Sequence, residues 1–567
     1  MQGGGGAMKK IVECVPNFSE GKDKRVIEAI VSAIERGGAT VLDVEMGAAT
    51  NRTVVTMAGE PEIVEESAFL AIKTACELID MRKHKGEHPR IGACDVCPFV
   101  PVQGVTMQDC IEIARRVGKR VGETLGVPVF LYGEAATAPE RRKLEWIREG
   151  EYEGLSKRLL EPNFKPDFGP AEMNEKSGAC AVGAREFLIA YNINLNTKQK
   201  VLASRIAVKL REAGGIARDP NQEPLVGPNG APIKVKGLFQ DLKAVGWYIE
   251  EYGIAQVSMN VTNYRTTPLH LIYEEAKRIA RQLGVEVTGS EIVGLVPKEA
   301  LLSAARFYLR RQGVSAAMPE REMIHIAVRS LGLNDAKPFE ASAKVIEYRL
   351  GAEAENGLCS KSVKDFCDLV STDSPVPGGG SVAATSLALG CALGAMALNI
   401  SVAKEKDWEQ KRELEDVASW FQRVKEEALR LCEEDSKAFR AVLDARKRGQ
   451  EALATAVLEA TLVPLNVLRL THECAKRIET VRNRCFRGCI SDLGVALSMF
   501  ECSARGAFLN VLINLPELPN ETEALQIRKE AESLYAAVIS ATHNNYEAVL
   551  KDLNPTFAGN PEGSEAV

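Results

Sequence analysis

The stretch ATVLDVEMGAATNRTVVTMA, Ala39 to Ala58, decides the fold. It holds two runs rich in β-branched and aliphatic residues, near 39–45 and 52–58, which read as strands. Only Ala48 to Asn51 separates them, which is room for a turn and not for a helix. Elsewhere in residues 10–135 strands and helices alternate. Strands are expected near 11–16, 94–100 and 128–132, and helices near 23–36, 61–80 and 107–125, where apolar residues recur at helical spacing. The resulting order, βαββαβ, predicts an α+β sandwich of the ferredoxin-like kind.

Downstream, Pro162 to Gly178 (PNFKPDFGPAEMNEKSG) reads as a long loop. A second unit follows, with strands near 186–193, 234–240, 244–249 and 254–262 and helices near 197–213, 268–284 and 297–311. The similar order predicts two related ferredoxin-like βαββαβ subdomains, without a residue-level repeat. Asp219 to Pro232 reads as an exposed hairpin or insertion. From about Ala352 strand signals disappear. Helical patterns cover 361–371, 380–403, 408–447, 450–479, 488–508 and 521–551, so the C-terminal part is expected to be an all-α helical bundle. The organisation expected is a Gly-rich tail (1–9), two α+β subdomains (10–186 and 187–345), a linker (346–358), a helical domain (359–553) and a flexible tail (554–567).

The chain has 567 residues, too many for one core, and its 45% hydrophobic and 26% charged content is that of a globular protein. A net charge of −6 does not suit a general nucleic-acid binder. The fourteen cysteines are scattered among apolar residues, and Met1 to Lys10 lacks the apolar core of a secretory signal. A reducing, cytoplasmic setting is expected. Gly380 to Ala403 is uncharged and long enough to span a bilayer. It is built mainly from Ala, Gly and Ser with Asn399 inside, so a buried bundle helix is expected and no transmembrane segment.

Chemistry concentrates in MRKHKGEHPRIGACDVCPFVP, Met81 to Pro101, which holds two of the six histidines, His84 and His88. Histidine accepts and returns protons near neutral pH, and the cations around it attract anions. Two histidines at i and i+4 can ligate zinc on a helix, but Gly86 and Pro89 break one here, so no metal is expected. The plain alternative is a histidine that caps a turn. Cys94 and Cys97 form a CxxC without a second pair and read as thiols on a buried strand, and Cys485 and Cys489 as bundle-core residues. Pro377, Gly378, Gly379, Gly380 and Ser381 precede the long apolar helix. Free N–H groups at such a helix start can hold an anion, although no GK[ST] of a nucleotide loop follows. Asp435 lies in CEEDSKAF on an amphipathic helix, facing solvent beside Glu433 and Glu434 or turned into a cleft with Ser436 and Phe439.

Taken together, VECVPNFSEG (Val12 to Gly21), NRTV (Asn51 to Val54), HKGEHPR (His84 to Arg90), LYGEAA (Leu131 to Ala136), FLIAYNINL (Phe187 to Leu195), GWY (Gly246 to Tyr248), GLVP (Gly294 to Pro297), PGGGSVAA (Pro377 to Ala384) and NVLINL (Asn510 to Leu515) closely resemble the formimidoyltransferase-cyclodeaminase family. These are bifunctional folate enzymes of histidine breakdown. The resemblance covers nearly the whole chain. It implies a transferase half of two α/β subdomains that moves a formimidoyl group from N-formimidoyl-L-glutamate to tetrahydrofolate. It implies a helical half that closes the product to methenyl-tetrahydrofolate and expels ammonia.

By the same resemblance the transferase histidine is His88 and the cyclodeaminase acid is Asp435. The folate-contacting loop is Gly169, Pro170, Ala171, Glu172, Met173, Asn174, Glu175, Lys176, Ser177 and Gly178. Arg90 and Lys85 are candidates to hold the glutamate carboxylates, and Pro377 to Gly380 to let the pterin or its tail lie against backbone. Tetrahydrofolate, in polyglutamylated form, is the implied co-substrate, with no metal and no nucleotide. A ring-like homo-oligomer is implied, an octamer being one form. Three departures stand out. Glu45 replaces the Asp of the vertebrate proteins, Asp219 to Pro232 looks longer than its counterpart, and Arg482 to Ser491 (RNRCFRGCIS) lacks the family's Gly-Asn pattern. Alternatives are a related one-carbon reaction (formyl transfer from N-formyl-glutamate, or methenyl-tetrahydrofolate cyclohydrolysis) and a folate-binding scaffold with one inactive half.

Overall fold

In the computed structural model, which describes residues 10–48, 50–86, 89–217, 219, 223–351 and 357–554, the Ala39–Ala58 stretch forms two antiparallel strands. The chain divides into two units, Met1–Ala304 with Val328–Ala352, and Ala305–Ala327 with Glu353–Val567.

The first unit begins with β1 (Ile11–Cys14), β2 (Asn17–Phe18), α1 (Lys24–Arg36), β3 (Thr40–Gly47), β4 (Arg52–Gly59), α2 (Pro61–Leu78), β5 (Cys94–Gln103), α3 (Met107–Leu125) and β6 (Val129–Gly133). Short helices α4 (Leu144–Ile147) and α5 (Glu151–Arg158) then lead to β7 (Cys180–Ala184). In the sheet β3 pairs with β4, β4 with β1 and β2, and these with β5, all antiparallel. This is the ferredoxin-like order. Parallel strands β7 and then β6 extend the β5 edge. Two helix starts are capped by side chains. The Asp23 side chain accepts from Arg25 N–H, and Thr106 and Asp109 form a reciprocal capping box. Ile27, Ile30 and Ile34 of α1, Val64, Ala68 and Ile72 of α2, and Ile113, Val117 and Val121 of α3 bury one face of the sheet.

The second subdomain runs β8 (Ile189–Leu195), α6 (Lys200–Leu210), β9 (Gly215–Ile216), β10 (Lys234–Val235), β11 (Leu242–Ile249), β12 (Ile254–Val261), α7 (Leu269–Gln282) and β13 (Val287–Val293). The sheet order β11-β12-β8-β13 repeats the ferredoxin-like arrangement. Here the structure corrects two expectations. The strand expected at 234–240 is only the two-residue β10, paired with β9 outside the main sheet. The strand missed, β13, has Gly289 at a register shift against β8, which weakens its β signal. β7 was missed similarly, as a run of Cys, Ala and Gly.

Helices α8 (Lys298–Arg311) and α9 (Glu320–Ser330) cross the unit boundary, so Ala305–Ala327 groups with the helical unit. Two short helices follow, α10 (Ala341–Lys344) and α11 (Ile346–Gly351), where a linker was expected from 346. Val345 and Ile346 are fully buried. The helical unit continues with α12 (Val363–Val370), α13 (Gly379–Lys404), α14 (Trp408–Ala445), α15 (Gln450–Val481), α16 (Ile490–Asn514) and α17 (Glu521–Leu553). Helix α13 is its centre, packed on α14 and α16. A Cβ on Gly390 would stand 2.6 Å from the Phe500 ring, and one on Gly394 3.1 Å from the Phe421 ring, so glycine at both admits the two aromatics. Asn399 of α13 has its partners in the 305–327 segment: it donates to Ala317 O (2.8 Å) and accepts from Ser315 Oγ (2.7 Å). Among the described residues three helices, Gly379–Lys404 one of them, are long and apolar enough to cross a membrane. In Gly379–Lys404, 67% of the most apolar window is buried inside the bundle.

Glu13 stands out in β1. It is buried, and that burial pushes its carboxyl up to about 7 from 4.5, against the attraction of Arg185 and with the repulsion of Glu347. The fold therefore holds this proton more tightly than the unfolded chain does. Stability of the first unit should fall as pH rises from about 4.5 to about 7, by on the order of 3 kcal/mol, and then level off. Glu13→Gln should flatten that slope, read by urea unfolding at pH 5 and pH 7. An unchanged slope would assign it to other groups.

Candidate active sites

Asn51 organises the first site. Its backbone is left-handed (φ 48°), which Asn tolerates better than most residues. Its Oδ1 accepts Gly21 N–H (3.0 Å), its Nδ2 donates to Lys85 O (2.9 Å), and its carbonyl lies 2.8 Å from His84 Nε2. It thus joins the VPNFSEG and NRTV stretches to the histidine loop. A Cβ on Gly86 would meet Thr50 O at 2.3 Å, so glycine there lets the loop lie against that turn.

Arg90 holds the far end of the loop. It is buried. Its Nε donates to His84 Nδ1 (3.2 Å), its Nη1 to Glu151 and Glu153 (2.7 and 2.8 Å), and its Nη2 to Glu153 (2.6 Å). Receiving a hydrogen bond at Nδ1 sets His84 as the Nε2–H tautomer, donating to Asn51 O. Both nitrogens of His84 are thereby engaged, and Arg90 is a tether within the protein fabric. His88 and Glu87 lie outside the described residues. Asp95, also buried, accepts Ile91 N–H (2.9 Å) and pairs with Arg148.

Beside these lies Arg52, which donates to Asn17 Oδ1 (2.9 Å). Burial pushes its guanidinium down, Arg148 adds to the effect, and Asp95 and Glu45 oppose it. Glu45 itself is exposed on β3, opposite Val54.

The structure brings the Gly169–Gly178 loop to the histidine loop. Met81 N–H donates to Lys176 O (2.8 Å), Ala93 N–H to Ser177 O (2.8 Å) and Ala179 N–H to Ile91 O (2.9 Å). Both ends of the histidine loop are therefore stitched to the end of the other loop. Within the latter, Asn174 accepts Ser177 N–H at Oδ1 (2.9 Å) and Gly178 N–H at its carbonyl (2.7 Å). Gly169, Pro170, Ala171, Glu172, Glu175 and Lys176 are exposed, Met173 and Asn174 half-buried, and Ser177 and Gly178 buried.

The second site is in the helical unit. Asp435 of α14 lies against the start of α13. A Cβ on Gly380 would stand 2.0 Å from its Oδ1. The Ser381 hydroxyl donates to its Oδ2 (2.8 Å). Burial pushes the Asp435 carboxyl above its ordinary range, while the hydroxyl and backbone N–H of Ser381 pull it back. Pro377, Gly378 and Gly379 line a cleft of about 490 Å³ together with Val382 and Ser386 of α13 and Cys502 and Gly506 of α16. Sequence reasoning put Ser381 at the helix start but gave its hydroxyl no partner, and gave no role to Asn510, whose amide would be 3.1 Å from a Cβ on Gly379.

The departure from the family pattern at Arg482 to Ser491 lies at the other end of α13, where Phe486 N–H donates to Ser401 Oγ (2.8 Å). Ser401 is twenty residues along the helix from Ser381, roughly 30 Å. Among the described residues no cluster of three His, Cys, Asp or Glu could hold a metal ion. The CxxC cysteines do not face each other as a pair: Cys97 Sγ is 3.5 Å from Cys14 Sγ, and Cys94 adjoins Cys180. Burial pushes the Cys14 and Cys94 thiols well up.

Residues 11–185 match the model of the N-terminal subdomain of the formiminotransferase domain, 190–351 that of the formiminotransferase domain, and 362–533 that of formiminotransferase-cyclodeaminase. The formimidoyltransferase-cyclodeaminase of Gallus gallus is 42% identical over 554 residues, 94% of this chain and 99% of that one. That of Dictyostelium discoideum is 39% identical over 556 residues, 95% and 100% of the two chains. The glutamate formimidoyltransferase of Streptococcus pyogenes serotype M1 is 42% identical over 304 residues, 53% of this chain and 94% of its own. Two α+β subdomains followed by a helical unit, matched end to end at this identity, mean that the chain belongs to the formimidoyltransferase-cyclodeaminase family.

Proposed function

We propose that the chain carries out both reactions in sequence. It transfers the formimidoyl group of N-formimidoyl-L-glutamate to tetrahydrofolate, then closes and deaminates the product. The observation that supports the first half is the backbone stitching of the end of the Gly169–Gly178 loop to Met81, Ile91 and Ala93, on either side of the histidine loop.

In the transfer, the pterin N5 attacks the formimidoyl carbon and becomes cationic. His88 takes its proton and returns it to the departing glutamate nitrogen, a service worth about 10²–10⁴-fold. Arg90 is engaged with Glu151 and Glu153, so Lys85 and Arg52 are better placed by charge to meet the glutamate carboxylates. In the second half N10 attacks the same carbon and its proton passes to the imine nitrogen. Asp435 supplies one more proton, and ammonia leaves a methenyl cation. A carboxyl raised by burial is suited to hold the proton until that step. The PGGG turn offers backbone to the pterin, and polyglutamylated folate and a ring-like homo-oligomer, an octamer among its forms, are supported by the family resemblance.

His88→Ala should lower formimidoyl transfer by about 10²–10⁴-fold and leave cyclodeamination of supplied 5-formimidoyl-tetrahydrofolate intact. Asp435→Ala should do the reverse, so that 5-formimidoyl-tetrahydrofolate accumulates while methenyl absorbance and ammonia fail to appear. One substitution silencing both reactions in folded protein would overturn the assignment of separate sites.

A further inference from the structure

Ser381 is fully buried in the first turn of α13, yet its hydroxyl meets three polar atoms of α14. Oδ2 of Asp435 lies at 2.8 Å, the carbonyl of Cys432 at 3.2 Å and the hydroxyl of Ser436 at 3.1 Å. A hydroxyl has one proton to give. Facing an ionised carboxylate, that proton belongs on the closer, charged acceptor, and Ser436 can donate to the oxygen left behind. Facing a protonated carboxyl, it has the Cys432 carbonyl as a second acceptor. The hydroxyl therefore stays satisfied in either charge state of its neighbour, which a buried group requires.

The two carboxyl oxygens are not equivalent. Oδ2 takes the Ser381 hydroxyl, whereas Oδ1 is the atom nearest Gly380, the residue after Gly378 and Gly379, which line the cleft. We propose that Ser381 is the positioning residue of the deaminating acid: it holds Oδ2, so that Oδ1 carries the proton delivered to the departing nitrogen. This rests on the reading of Asp435 as that acid. Besides the Ser381 backbone N–H, few other groups compete for control of the carboxyl. Cys432 lies one turn back on α14, with Cys359 and Glu433 on its far side, Cys502 of α16 lines the cleft, and α13 has no charged residue from Gly379 to Ala403.

The test is the pH dependence of deamination of supplied 5-formimidoyl-tetrahydrofolate by the full chain, with far-UV circular dichroism as the check on folding. In Ser381→Ala the carboxyl loses a donor to its charged form, so the alkaline limb should move up by about one pH unit. Mis-set geometry should lower kcat about tenfold with KM unchanged. Ser381→Thr, which keeps the hydroxyl, should return the limb to its original position. If Ser381→Ala does not fold, Ser381→Cys keeps the volume with a weaker donor and should shift the limb in the same direction. An unmoved limb and unchanged kcat in a folded variant, beside an inactive Asp435→Asn, would overturn the role of Ser381 alone. An active Asp435→Asn would overturn the acid reading and this inference with it.

Discussion

Two glycines, Gly92 and Gly178, let the histidine loop and the Gly169–Gly178 loop meet backbone on backbone. A Cβ on Gly92 would stand 2.0 Å from Ala179 O, and one on Gly178, where φ is +67°, 2.2 Å from Ile91 O. No other residue fits at that spacing without moving main chain. Because the approach is backbone on backbone, hydrogen bonds between peptide groups fix it, and not the rotamers of long side chains. The consequence is kinetic. Acyl-type transfer between two bound molecules depends on holding reacting atoms within near-attack distance, and an ångström of slack costs about 10²-fold. Two loops proposed to meet different substrates are better joined through main chain than through lysine or arginine.

The charges around this seam play the same part. Asp95 with Arg148, and Arg90 with Glu151 and Glu153, are pairs with at least one buried member. Desolvation cancels much of what such pairs gain, so their worth is in fixing geometry. Asp95 holds the chain just after the loop through Ile91 N–H, and Arg90 holds His84 in one tautomer. A loop with two histidines then has a physical division within it. A ring with both nitrogens engaged by Asn51 and Arg90 is a strut, and the proton traffic proposed here falls to the other.

Much of this was legible in the sequence. Helices α13 to α17 lie within a few residues of the expected spans, except that α16 runs on to Asn514, because long periodic segments announce themselves. The two-strand interruption at Ala39–Ala58 gave the topology of the first subdomain. What could not be read depends on partners distant in the chain. Arg90 looked like a ligand for anions because the carboxylates that claim it lie more than sixty residues away. The grouping of Ala305–Ala327 with the helical unit is equally invisible locally, since its partner Asn399 is some eighty residues on. The role of Ser381 was hidden for another reason: a serine after three glycines reads as the start of a helix, and only the packing of α14 gives its hydroxyl a carboxyl to hold.

The composition that makes α13 resemble a membrane span is also what creates the second site. A helix start built of glycine lets α14 come so close that the Asp435 carboxyl rests over Gly380, which no residue with a side chain would permit. Crowded there, the carboxyl loses water and binds its proton more tightly. The N–H groups at the helix start and the Ser381 hydroxyl act the other way, so the group is not locked neutral. The role proposed for Asp435 needs both properties, since an acid must arrive protonated and still be able to let go. A charged or bulky residue at the start of α13 would destroy that balance by moving the carboxyl away or by pinning it as an anion. The absence of charge from Gly379 to Ala403 therefore serves the proposed chemistry as much as the packing.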